Sequence, residues 1–188
     1  MEDKRTRYTK MFLRESLVRK LGEKPISRIT ITELCKDAEV NRSTYYAHYA
    51  DQYDQLRQIE QEFMADIVKE FSPVAGGKAG ADFLTITEKI ILYISENAEL
   101  CRVLLGNNGS MNFQQSFSDF LRSTVTSIWG SMTVSDERSL EYIYCFVLSG
   151  CIGVMRSWLF DKDDKRTPHE MAALIVALAD RGISAFMK

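Results

Sequence analysis

This sequence is short of the residues that cross-link, ligate or catalyse. Its 188 residues include only four cysteines, two histidines and three prolines. Cys35, Cys101, Cys145 and Cys151 show no Cys-x-x-Cys spacing. With His48 and His169 as the only imidazoles, the inventory barely supplies a tetrahedral zinc site. We expect no metal and no cofactor, and cysteines that act as small buried hydrophobes in a reducing cytoplasm. A chain of this length buries roughly 70% of its unfolded surface and folds without cross-links. Long apolar runs are also missing. The most apolar uncharged stretch, Tyr142 to Met155, has 14 residues, short of the ~20 a membrane span requires. The opening Met-Glu-Asp-Lys-Arg has no apolar signal core behind it. Secretion and membrane insertion are not expected.

Enzyme signatures are equally scarce. There is no Gly-x-Ser-x-Gly and no Gly-x-Gly-x-x-Gly, and Gly76-Gly-Lys78 lacks the spacing and the Ser/Thr of a phosphate loop. A histidine-dependent triad would have to draw on His48 or His169, each inside a segment better explained otherwise. The chain reads as a non-enzyme.

What the sequence does have is helical periodicity and a split in charge. Hydrophobic residues make up 45% and charged residues 27%, the mix of a globular protein rather than a disordered one. The net charge is −2, but residues 1–49 hold 11 Lys+Arg against 7 Asp+Glu, while residues 50–188 hold 13 against 19. A basic head on an acidic body is the asymmetry expected when one end meets phosphate.

The spacing of Leu13, Leu17, Val18 and Leu21 predicts an amphipathic first helix ending at Gly22. Thr30-Ile-Thr-Glu33 is a capping box that starts a short second helix over 32–38. Glu39-Val-Asn41 makes a turn, and Asn41 caps a third helix running to about Tyr49. Asp51 caps a fourth, with Leu56, Ile59, Phe63, Ile67 and Phe71 on one face. Residues 72–80 form the one Gly-rich boundary. Helical patterns follow at Phe83–Ile94, 97–105, 111–129 and 135–160. A last helix begins at Thr167-Pro-His-Glu170, a second capping box with proline at the first helical position. No strand pattern and no repeat is evident, so the fold class is all-α. An N-terminal region, 1–71, and a C-terminal region, 81–188, are separated by the boundary.

Two short helices joined by a tight turn, the second reading Asn41-Arg-Ser-Thr-Tyr-Tyr-Ala-His-Tyr49, suit a helix-turn-helix whose second helix enters the major groove. By spacing alone, a helical hairpin with its aromatics in the core fits equally well. The segment Ala38-Glu-Val-Asn-Arg-Ser-Thr-Tyr-Tyr-Ala-His-Tyr49, followed by Asp51-Gln-Tyr-Asp54, resembles the DNA-binding head of the TetR family of bacterial transcription regulators. Finer details resemble a subgroup that includes an activator of a dihydroxyacetone kinase operon. The resemblance implies groove contacts at Arg42, Ser43, Thr44 and Tyr46, with Thr30, Asn41 and His48 near phosphates. It implies a homodimer on a pseudo-palindromic double-stranded operator and a small-molecule effector. The alternative, which the low basic charge, Glu39 and Gln52 favour, is a TetR-like coactivator tethered by a protein partner, with weak or no DNA binding of its own. Two positions depart from the family pattern: Glu39 stands where the turn has glycine, and Gln52 where the fourth helix has lysine. Tyr45 and Tyr49 read as core.

The C-terminal half suggests two further roles. Residues 135–160 are apolar almost all round, so something besides their own core must cover one face. The resemblance implies dimerisation through the last two long helices, with expected contacts at Val147, Cys151, Val154 and Trp158 and at Met171, Leu174, Ile175 and Leu178. Phe83, Ile86, Ile90, Phe113, Phe117, Trp129, Tyr142 and Phe146 are the expected lining of an apolar effector pocket.

Overall fold

The computed structural model describes residues 4–75, 83–106, 108–129, 137–161 and 163–184. Among them are nine α-helices and no strand: α1 (Lys4–Glu23), α2 (Ile31–Asp37), α3 (Arg42–Tyr46), α4 (Gln52–Ala75), α5 (Phe83–Glu96), α6 (Ala98–Leu104), α7 (Met111–Trp129), α8 (Glu137–Phe160) and α9 (Pro168–Ser184). A single 3-10 turn at Ile26–Arg28 joins α1 to α2. The third helix is shorter than its pattern predicted, ending at Tyr46 rather than near Tyr49. The fourth continues past residue 71 to Ala75, and the rest of the expected boundary, 76–80, lies outside the described residues.

The chain forms two compact units. The first comprises Met1–Ala65 and Glu99–Phe113, the second Asp66–Ala98 and Gln114–Lys188. In the first unit, Leu13, Leu17 and Leu21 of α1, Leu34 of α2, Tyr45 of α3 and Leu56, Ile59 and Phe63 of α4 are all buried. Ser16 is buried among them, and its hydroxyl donates to the Leu34 carbonyl at 3.3 Å.

Residues 108–113 fasten to the rest of this unit at three points. Asn108 Nδ2 donates to the Leu21 carbonyl at 2.7 Å, supplying a partner in the last turn of α1, where helix carbonyls lack intrahelical donors. The Ser110 amide donates to Glu60 Oε1 at 3.3 Å, and the Ser110 hydroxyl caps α7 by accepting from the Phe113 amide at 3.1 Å. Phe113 then packs on Phe63, with ring centroids 6.1 Å apart. Burial pushes the Glu60 carboxyl above its ordinary pKa. At Gly109 the chain passes so close to Leu104 that an added Cβ would fall within covalent range of the Leu104 carbonyl.

The turn between α2 and α3 is a Schellman motif. The Val40 amide donates to the Cys35 carbonyl at 2.9 Å, and the Glu39 amide to the Lys36 carbonyl at 3.4 Å. The motif places its C′ residue in the left-handed region, and that residue is Glu39, at φ 54°. The turn therefore keeps the backbone that glycine would adopt with least strain, although a side chain stands there.

The second unit is built from α5, α7, α8 and α9. Its core cluster contains Val125 of α7, Tyr144, Val147 and Leu148 of α8 and Ala179 of α9, with Phe83, Leu121, Ile143 and Cys151 packed against it. Phe71 at the end of α4 meets Tyr93 edge-on, 5.7 Å between centroids. The predicted capping box of α9 is present: the Glu170 amide donates to Thr167 Oγ1 at 3.2 Å, and the Thr167 amide to Glu170 Oε2 at 2.7 Å.

Two substitutions follow from these backbone constraints. Gly109→Ala forces residues 108–113 off Leu104 and should cost about 2–4 kcal/mol, read as a lower urea midpoint. A midpoint equal to the parent's would show that this approach is looser than described. Glu39→Gly relieves a left-handed non-glycine residue at a cost of about 1–2 kcal/mol. It also makes the unfolded chain more flexible, so the net gain should be about 0.5–1 kcal/mol. Glu39→Val should instead destabilise, because a branched side chain is worse at positive φ. Thermal melts that rank the three in any other order would refute the assignment.

Candidate nucleic-acid interface

Five residues cannot hold a helix by their own hydrogen bonds, so α3 depends on what it packs against. That support is Tyr45. Its side chain is fully buried, and its hydroxyl donates to Gln55 Oε1 at 3.0 Å. Gln55, also fully buried, donates through Nε2 to the Leu13 carbonyl at 2.7 Å. Two hydrogen bonds in apolar surroundings thus tie α3 to α4 and α4 to α1, and burial raises the phenol pKa so that it stays a donor. The Tyr45 ring also meets Tyr49, 5.6 Å between centroids, and Tyr49 is buried. Both tyrosines are core, as their pattern predicted.

With Tyr45 inward, helical geometry turns positions 42, 43 and 46 outward. Arg42, Ser43 and Tyr46 are exposed, and an Arg42 guanidinium nitrogen lies 3.5 Å from the Tyr46 hydroxyl one turn away. Asn41 occupies the N-cap position of α3, but its side chain makes no cap hydrogen bond there. Thr44 is half-buried and lines the groove between α3 and α1. His48 is half-buried with its ring edge toward Tyr49. Five of the seven expected contact residues, Asn41 to Thr44 and Tyr46, therefore occupy one continuous stretch, with His48 just beyond it.

Thr30 is differently placed. Its hydroxyl accepts from the Glu33 amide at 3.2 Å and donates to the Glu33 carboxylate at 3.0 Å, completing the predicted capping box. Lys24 Nζ sits 2.7 Å from the same carboxylate. That hydrogen bond, helped by the Thr30 amide, holds the Glu33 carboxyl down at about 2. At the start of α4, Asp51 accepts from the Asp54 amide at 2.8 Å and Asp54 from the Ala50 amide at 3.0 Å. The Ala50 bond and Arg57 hold the Asp54 carboxyl below its usual range. Half-buried Gln52 opens this capped helix.

In the second unit the expected pocket residues divide between a cavity and the outer surface. Phe83, Ile86 and Ile90 do line an apolar cavity of about 50 Å³, together with Leu121, Leu148 and Met155. The hydroxyls of Thr87 and Thr124 beside it donate to carbonyls of their own helices, Phe83 at 2.7 Å and Phe120 at 2.9 Å. Phe113 belongs instead to the first unit, and Phe117 is buried away from the cavity. The side chain of Trp129 lies outside the described residues. Tyr142 and Phe146, also expected to line the pocket, are 78% and 75% exposed on the outer face of α8.

Of the residues expected at an interface, Val147, Met171 and Ile175 are buried, while Val147, Cys151 and Ile175 line an open groove between α8 and α9 and Cys151 and Ile175 also line the cavity. Val154 and Trp158 are half-buried, with Trp158 Nε1 donating to the Arg166 carbonyl at 3.2 Å. Leu174 and Leu178 are exposed. Phe146, Gly150, Val154, Leu178 and Gly182 edge an open apolar groove of about 430 Å³ between α8 and α9. Because α8 is apolar all round, periodicity could not say which face turns inward. Gln55 is the functional residue that pattern reading missed. Its signal was a polar amide at an inward position of α4, next to Leu56 and one turn before Ile59.

No cluster of His, Cys, Asp and Glu able to hold a metal occurs among the described residues. No curated protein matches the sequence. The TetR C-terminal family described as "Transcriptional regulator C-terminal region" matches residues 82–181. Among solved structures, a TetR transcriptional regulator from Streptococcus agalactiae is similar over 94% of this chain and 96% of its own, with 20% identity and a TM-score of 0.67. The transcriptional regulator FadR from Bacillus subtilis, solved in complex with stearoyl-CoA, is similar over 92% and 98%, with 16% identity and a TM-score of 0.66. The dihydroxyacetone kinase operon activator DhaS is similar over 96% and 98%, with 13% identity and a TM-score of 0.60. At these identities the likeness concerns the fold, while the match to more than half of the chain establishes the family: the chain belongs to the TetR family of transcriptional regulators.

Proposed function

We propose that the chain is a sequence-specific DNA-binding regulator, acting as a homodimer and controlled by a small apolar effector. In this reading residues 1–71 bind DNA and residues 81–188 dimerise and receive the effector. The observation that carries it is the outward row Asn41, Arg42, Ser43 and Tyr46, held on a short helix by the buried Tyr45–Gln55–Leu13 chain. Arginine donates bidentately to guanine, asparagine and serine serve bases or phosphates, and tyrosine suits the backbone. Two such helices about 34–36 Å apart fit successive major grooves of a pseudo-palindromic operator.

Dimerisation is supported by α8. Over Glu141–Phe160 it is long and apolar enough to cross a membrane, yet only 28% of that window is buried within the chain. Tyr142, Phe146, Leu174 and Leu178 are exposed apolar residues of α8 and α9, and Phe146 and Leu178 line the groove between these helices. Exposed patches of this kind mark interfaces. A second copy of α8 and α9 covers them best, since Gly150 and Gly153 let a helix approach with open space around them.

The effector enters the α5–α7–α8–α9 cavity. At about 50 Å³ it is well below the ~150 Å³ that accommodates benzene, so binding must part these helices. An effector that prefers the parted state lowers the population competent for DNA, while one with equal affinity for both states changes nothing.

Two measurements test this reading. Arg42→Ala should cost about 1–3 kcal/mol on a selected operator and relax base preference at one position. Unchanged gel shifts, with unchanged base preference, would remove the groove assignment. Sedimentation at micromolar concentration should show a species near twice 21.5 kDa, with an interface of more than ~1,000 Å². Phe146→Asp, on the exposed face, should give a folded monomer without operator affinity. A parent protein that is monomeric would defeat the symmetric model. A dimer with no operator preference would favour a co-regulator tethered by a protein partner.

A further inference from the structure

The positive charge of the N-terminal region is concentrated on one helix. Residues 4–14 hold Lys4, Arg5, Arg7, Lys10 and Arg14 and no acid. The first turn of α1 likewise has no acidic residue. Cations at a helix N-terminus oppose the macrodipole, which favours acids there, so this placement does nothing for the stability of α1. Lys4, Arg5 and Arg7 are exposed, and the Arg7 guanidinium lies over the Tyr8 ring, 5.9 Å from its centroid.

The same end of α1 stands beside the recognition residues. Arg5, Tyr8, Thr9 and Phe12 form one wall of a groove of about 660 Å³, and Asn41 and Thr44 of the α3 segment form the opposite one. The groove is also lined by Glu15, Arg19, Asp37 and Glu39, with Asp37 paired to Arg19. Arg5 lines the groove, and exposed Lys4 and Arg7 flank it in the first turn of α1.

We infer that Lys4, Arg5 and Arg7 form a phosphate clamp that grips the DNA backbone flanking each half-site while α3 reads the bases. This inference rests on the DNA-binding reading above. It gives the clamp affinity without sequence information, because phosphates look alike in every sequence. Each neutralised phosphate releases about 0.9 counterion on double-stranded DNA.

The test is a full-length triple variant, Lys4→Gln with Arg5→Gln and Arg7→Gln, assayed against operator and random DNA over a salt series beside Arg42→Ala. Glutamine keeps helix propensity close to that of lysine and arginine, and the melting temperature should stay equal or rise as the dipole conflict is removed. The slope of log affinity against log salt should flatten by about 2–3, with affinity falling about 10–100-fold on both DNAs at ~0.15 M salt. Base preference should be retained. If the parent binds operator through Arg42 and the triple variant has the parent's slope, the clamp is wrong and the DNA-binding reading survives. Loss of base preference in the triple variant would also overturn the clamp, since these residues would then be positioning the reading head. If the parent shows no Arg42-dependent binding, both readings fall together. Binding of an acidic protein through these cations would then be the alternative.

Discussion

Much of the first unit depends on one buried amide. Gln55 accepts from the Tyr45 hydroxyl and donates to the Leu13 carbonyl, at 3.0 and 2.7 Å. A five-residue helix has almost no stability of its own, so the outward aim of Arg42 and Tyr46 is inherited from the inward anchorage of Tyr45. Polar groups in an apolar core are costly when unpaired and rigidifying when satisfied. The described residues contain no buried side-chain polar atom without a partner. The anchorage is therefore directional as well as cohesive: an apolar pair of the same volume would fill the space without fixing the orientation of α3.

Around that anchor the caps set the lengths of the helices. Thr30 with Glu33, Asp51 with Asp54, Ser110 with Phe113 and Thr167 with Glu170 each satisfy amides that the first turn of a helix leaves free. The three acids at these starts, Glu33, Asp54 and Glu170, are all held below their ordinary carboxyl range, mainly by the groups that bond them. Glu60 is the opposite case. Buried and accepting from Ser110, it is pushed upward by desolvation. The α2–α3 turn follows the same backbone logic without glycine: Glu39 accepts the left-handed conformation because two Schellman hydrogen bonds require it there.

Local order was legible in the residues themselves. Capping boxes at Thr30 and Thr167, the inward tyrosines 45 and 49 and the 3.6-residue spacing in α1, α4 and α5 are short-range signals, carried within one or two turns. They sufficed for an all-α fold and for the placement of Asn41, Arg42, Ser43 and Tyr46 on a short helix after a tight turn. The resemblance to the TetR family rested on the same stretch, and the match of the C-terminal half to the family model establishes it independently.

Long-range pairing was decided only by tertiary structure. Gln55 with Leu13 and Asn108 with Leu21 are 42 and 87 residues apart, and no local pattern encodes such partners. The orientation of α8 was decided in the same way. Its apolar residues circle the helix, so no contrast between a polar and an apolar side marks the face that turns inward. Packing against α7 and α9 drew Val147 and Leu148 inward and left Tyr142 and Phe146 outward. Amino-acid order thus determined which segments are helices and which residues cap them, because those choices depend on neighbours a turn away. Which face of an all-apolar helix meets the core depends on the volume and shape of other helices, and only the folded chain contains that information.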